Sequence, residues 1–183
     1  MRYATATRRA PAEMSAAYRG GMPVDAFNAL PREEAIALLL TCARVTRWAE
    51  EVADARPFGT RDELLAAAEH SARRWTAAEL DEALAGHPRI GEHPGGSDPE
   101  AAFSRAEQSG VPDDHATRER IATGNAVYER RFGRVFLVRA AGRGPEQILA
   151  ELERRLDHDP MAEIPVALAE LRDIALRRLE TSL

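Results

Sequence analysis

The sequence predicts an all-α fold, a single-domain bundle of about seven to eight helices. Three observations carry that prediction. Apolar residues recur at helical spacing from Pro23 onward, most plainly at Ile164, Ala167, Leu168, Leu171, Ile174, Ala175 and Leu179. Two Thr-x-x-Glu sequences, Thr60 to Glu63 and Thr76 to Glu79, have the form of capping boxes at helix N-termini. Prolines and glycines fall between the periodic segments, where helices should stop.

Taken in order, residues 1–22 are expected to form a flexible N-terminal extension, because Arg2, Arg8, Arg9, Arg19, Gly20 and Gly21 leave little periodicity. The helical domain is read over 23–183. Pro31 suits the first position of a helix to about Cys42, with Glu33 and Glu34 favoured in its first turn. A helix over 46–55 stops before the turn cluster Pro57-Phe58-Gly59. The boxes at Thr60 and Thr76 open helices over 61–74 and to about Ala85, with Gly86 as a helix-ending glycine. Residues 87–99 are irregular, and helix is expected again over 98–109 and 114–132. The apolar piece Val135-Phe136-Leu137-Val138 is too short to assign by period: extended chain and a buried helical turn both fit. Gly144-Pro145 starts a helix to about Leu156, and the last runs over 161–180, with Pro165 tolerated near its start.

Composition narrows the function. A net charge of -5 lacks the basic excess of a nucleic-acid binder. All 25 basic residues are arginine, so lysine Schiff-base chemistry is excluded. Cys42 is the sole cysteine, which rules out an intrachain disulfide or a thiolate zinc cluster; in its apolar run it reads as a buried structural thiol. No apolar run approaches the roughly 18 residues of a membrane span. The arginine-bearing N-terminus lacks the apolar stretch of a secretory signal, and the C-terminal Thr181-Ser182-Leu183 lacks the basic residue of a peroxisomal address, so a cytoplasmic location is expected.

Residues able to do chemistry gather in the middle of the chain. His87 follows a helix end, and Pro88 restricts the backbone that carries its imidazole. Ser104, Glu107 and Gln108 share one helical face at three- and four-residue spacing. Asn125 follows Gly124 inside a long helix, where both are poor helix formers. Each also fits a bland role: a structural loop histidine, a solvated face, a kink. His87, Glu92 and His93 match no standard ligand spacing, so no metal is expected. His70, His115 and His158 lie in charged surroundings and read as exposed. Gly142-Arg143-Gly144 is too short for a phosphate loop.

In this order, several segments resemble the 2-oxo-4-hydroxy-4-carboxy-5-ureidoimidazoline (OHCU) decarboxylase family. They are Phe27-Asn28, Trp48 with Arg56-Pro57-Phe58, His87-Pro88-Arg89-Ile90-Gly91, Ser104 to Gly110, Asn125 with Tyr128, and Phe132 to Val138. The resemblance implies an all-α fold and cofactor-independent decarboxylation of a small ureidoimidazoline to (S)-allantoin in urate breakdown. It implies His87 and Glu107 as catalytic residues. Pro88, Ser104, Glu107, Gln108, Asn125, Phe136, Leu137, Val138, Arg139 and Ala140 fall at substrate-binding positions. Arg139 stands where related sequences often carry a small residue or cysteine. The resemblance also implies a possible homodimer, for which the amphipathic C-terminal helix offers a face. The competing readings are a non-catalytic helical binding module and a metallohydrolase using His87, Glu92 and His93.

Overall fold

A computed structural model describes residues 21–85, 87, 89–90 and 115–183. Among them the regular elements are eight helices and no strand: α1 Val24–Ala29, α2 Arg32–Cys42, α3 Thr46–Asp54, α4 Arg61–Ala72, α5 Ala77–Leu84, α6 His115–Phe132, α7 Pro145–Leu156 and α8 Pro160–Ser182. The all-α expectation holds. The helix expected over 98–109 and the glycine stop at Gly86 lie outside the described residues.

Local chemistry sets the ends. Thr76 Oγ1 accepts from the Glu79 N–H while Glu79 bonds back to the Thr76 N–H, the full reciprocal box. The expected box at Thr60 is only half formed. Thr60 accepts from the Glu63 N–H, but the Glu63 carboxylate reaches one residue further, to the Gly59 N–H at 2.7 Å. Pro31 sits just before α2 as its cap, not as its first residue. Asp159 caps α8 through the Met161 N–H at 2.8 Å, and the helix continues through exposed Pro165 to Ser182. At the end of α6 Gly133 adopts φ +71°, a conformation that favours glycine.

The core has two parts. The larger cluster joins α1–α5 to α8 and centres on residues such as Phe27, Leu39, Trp48, Leu64, Leu80 and Leu171. Trp48 is fully buried, and its indole N–H is satisfied by the Ala68 carbonyl at 2.9 Å. The resembling pieces at Asn28 and Arg56-Pro57-Phe58 act here as a structural clasp. Asn28 exchanges two hydrogen bonds with the Phe58 backbone, and Arg56 donates to the carbonyls of Ala53, Phe27 and Leu30. The second cluster joins α6, α7 and residues 136–140 around Ile121, Tyr128, Phe136, Ile148 and Leu152. Gly124 lets α7 close on α6: a Cβ there would lie 2.5 Å from Leu152 Cδ2. Helix α8 packs against α2, α4, α5 and α6, so its apolar face is spent within the subunit. Cys42 is buried, as its apolar run requires.

The expected extension needs one qualification at its end. Residues 1–20 lie outside the described residues, but Met22 is buried and its N–H bonds the Ser182 carbonyl at 2.9 Å. No helix is long and apolar enough to cross a membrane among the described residues.

Candidate active site

The short segment after α5 carries His87 and is fastened at three points. The His87 N–H bonds the Leu84 carbonyl at 3.0 Å, extending the helix end. Arg89 forms a two-pronged ion pair with Glu129 of α6. The Asn125 side chain donates to the Ile90 carbonyl at 3.0 Å. Asn125 itself is 3% exposed, and its Oδ1 has no hydrogen-bond partner among the described residues. A buried acceptor of this kind marks a place where a donor belongs.

The charge around His87 comes from α8 and from the turn after α2. Burial lowers the imidazole pKa to about 4, and the guanidinium groups of Arg178 and Arg44 push in the same direction. His87 is therefore a neutral imidazole near pH 7, suited to accepting a proton rather than supplying one from an imidazolium. Arg178 is 3% exposed, and its Nη1 lies 3.4 Å from the Cys42 carbonyl. Sequence reading passed over it. A signal existed: Arg178 falls on the apolar stripe of α8, next to Leu179 and three and four residues after Ala175 and Ile174.

Residues 136–140 settle the question that periodicity left open: they are non-helical. Phe136, Val138 and Ala140 enter the second cluster, whereas Leu137 enters the first. That two-residue alternation is the mark of extended chain. The strip thus lies between the two cores with its side chains committed inward. Any substrate contact at these positions falls to the backbone, Arg139 excepted, whose side chain is partly exposed. The Leu137 carbonyl accepts from Arg155 Nη1 at 2.7 Å, and the Arg139 N–H donates to Glu170 Oε2 at 2.8 Å.

Behind the strip is a fully buried polar group that sequence reading also missed. Arg155 and Glu163 form an ion pair at 0% exposure. Glu163 Oε1 accepts from Arg155 and from the Tyr128 hydroxyl, and Oε2 meets His158 Nδ1 at 2.6 Å. Burial pushes the Tyr128 phenol pKa up, so it stays protonated and donates. Arg154 lies 2.9 Å from His158 Nε2. An arginine can only donate, so the ring proton sits on Nδ1, facing Glu163. His158, read as exposed, is a half-buried member of this group; His70 is exposed as expected. The Arg155 guanidinium also stands 4.8 Å from the Phe136 ring centroid.

The structure thus brings His87 and Asn125 to one segment through Ile90, and Ile90 packs in the same cluster as Phe136, Val138 and Ala140. Pro88, Ser104, Glu107 and Gln108 lie outside the described residues, as do Glu92 and His93. Two surface clefts of about 490 and 330 Å³ are lined by none of the expected site residues.

The chain matches the model of the OHCU decarboxylase family over residues 28–180. A 2-oxo-4-hydroxy-4-carboxy-5-ureidoimidazoline decarboxylase of Haloferax volcanii is 33% identical over 134 residues, covering 72% of this chain and 77% of that protein. The uric acid degradation bifunctional protein TTL of Arabidopsis thaliana is 24% identical over 143 residues, 75% of this chain and 44% of that longer protein. A crystal structure of OHCU decarboxylase in the presence of (S)-allantoin superposes with TM-score 0.64 at 22% identity, covering 75% of this chain and 91% of that one. An (S)-allantoin synthase structure gives 0.65 at 21% identity, over 88% and 54% of the two chains. These two likenesses concern the fold.

Proposed function

The chain belongs to the OHCU decarboxylase family, and from that premise we propose that it converts 2-oxo-4-hydroxy-4-carboxy-5-ureidoimidazoline to (S)-allantoin and carbon dioxide without a cofactor. The observation that carries the reading is His87, a neutral imidazole beside buried Arg178 in a segment clasped to α6.

The chemistry needs little from the protein except position and charge. The substrate's carboxylate sits on the hydroxyl-bearing ring carbon, next to a carbon doubly bonded to nitrogen. When the C–CO₂ bond breaks, its electron pair enters the ring and the C=N nitrogen receives charge. That nitrogen takes up one proton from solvent; the hydroxyl then loses its proton as the enol becomes a carbonyl, and the ureido-bearing carbon gains one. His87 and Glu107 bracket that hydroxyl in this mechanism, with His87 as the acceptor. Burial leaves the ring unprotonated at neutral pH, which is the form that can accept a proton. Gln108, Ser104, Pro88, Asn125 and the backbone of residues 136–140 hold the ring and ureido amides. Delivery of the proton to one face gives the (S) product.

The enzyme acts on a small molecule, and we place it in the cytoplasm. A homodimer would use a surface other than the apolar face of α8, which is already covered; light scattering after size exclusion reads the mass. The activity is tested by adding the protein, with a chelator, to freshly generated substrate and following circular dichroism. Optically active product well above the spontaneous rate supports the reading. Racemic product at the spontaneous rate rejects it.

A further inference from the structure

The strip 136–140 is held from one side only. In extended chain, residues two apart direct their backbone groups to the same edge. The Leu137 carbonyl and the Arg139 N–H therefore share an edge, and both are taken by ionised side chains. Both anchors trace to α8: Glu170 bonds the Arg139 N–H directly, and Glu163 fixes Arg155, which bonds the Leu137 carbonyl. Glu163 and Glu170 are seven residues apart, two turns along one helix face. Arg178, beside His87, lies eight residues beyond Glu170, on the same side. One rigid helix thus sets the register of the strip against the imidazole. The opposite edge, with the backbone groups of Phe136 and Val138, has no partner among the described residues.

We propose that Glu170, acting on the Arg139 N–H, and Glu163, acting through Arg155 on the Leu137 carbonyl, are positioning residues that aim the outer edge of the strip at substrate. The role rests on the decarboxylase reading. Neither carboxylate touches the reacting atoms in it. They act on KM, because a loosened strip binds substrate and transition state equally poorly.

The test uses the full chain and compares Glu170→Ala, Glu170→Gln, Arg143→Gln and Arg155→Lys. Glu170 also pairs with Arg143 at 3.3 Å, so Arg143→Gln removes the ion pair and spares the backbone bond. Glu170→Ala should raise KM roughly tenfold and leave kcat within about threefold, the size of a lost charged hydrogen bond. Glu170→Gln keeps an acceptor for the N–H and should stay within about twofold of wild type. Arg143→Gln should do the same. Arg155→Lys keeps the charge beside Glu163 but lacks the fork that spans to Leu137, so KM should rise again. Partial unfolding would instead lower apparent kcat at constant KM. Amide exchange at Arg139 gives a readout independent of turnover: protected in wild type and Glu170→Gln, fast in Glu170→Ala. An unchanged KM in folded Glu170→Ala, equal effects in Arg143→Gln, or unchanged exchange at Arg139 overturns the proposal. A wild type without turnover defeats the decarboxylase reading beneath it, while the exchange result still decides whether the clamp exists.

Discussion

Around Trp48 the core is made mostly of helix faces, and its charged neighbours stay at the rim apart from Arg178; around Tyr128 an arginine and a carboxylate are buried completely as a pair. Glu51 at the rim shows the first arrangement. Ser71 holds its pKa down to about 2, helped by Arg47 and Arg74, yet the group remains partly exposed. The difference follows from backbone. Helices satisfy their own N–H and C=O groups, so α1–α5 can pack with apolar side chains only. Residues 136–140 are buried without a helix, and their backbone groups need partners from elsewhere. Arg155 and Glu170 supply two of them, at the Leu137 carbonyl and the Arg139 N–H. A buried ion pair is a poor source of net stability, since desolvation offsets its attraction. Its use here is to fix a backbone strip.

Four effects, in falling order, sharpen that contrast. The largest effect is expected on turnover: His87→Ala should lower kcat by ~10²–10⁴-fold with the fold intact, and a loss below about threefold in the kinetic assay would remove His87 from catalysis. Next, Glu163→Ala leaves Arg155 buried and unpaired, which should cost about 3–5 kcal/mol in denaturant unfolding and raise KM as well. Leu64→Ala in the first cluster should cost a similar ~2–5 kcal/mol by cavity formation, but KM should not move. If both variants affect KM equally, the two regions do not divide the work as described.

The third effect is pH dependence. The unfolded histidine binds a proton near pH 6.5, whereas folded His87 does so at about 4. Between these values the unfolded state carries more protons, so stability should fall as pH drops from 6.5 toward 4 and change no further from this group below that. The loss at pH 5 should be on the order of 1–2 kcal/mol, and His87→Asn should remove it from unfolding curves. The smallest effect belongs to Glu153→Gln. Its pair with Arg120 is more than half exposed on both sides. Stability should change by less than about 0.5 kcal/mol, and a larger shift in the melting curve would mean that surface charge matters more than this account allows.

The helices were legible because their signals are local: Thr76 with Glu79, Pro145 after Gly144, the apolar period of α8. The strip was not, since a short apolar run has no period to measure. Arg155, Glu163 and Arg178 stood in view on apolar stripes, but a charge there becomes meaningful only when its partner is known, and those partners come from other elements. His158 was misread for the same reason. Glu63 shows a smaller failure, for spacing fixed the cap residue but not which N–H the carboxylate would choose. His87 and the strip were marked as site residues by resemblance to a family; spacing alone left each of them a structural alternative.

The most direct test generates the labile substrate in place from urate with urate oxidase and hydroxyisourate hydrolase, then follows circular dichroism on adding this protein. The expected result is rapid appearance of (S)-allantoin with a chelator present, lost in His87→Ala. Racemic allantoin forming at the spontaneous rate would contradict it.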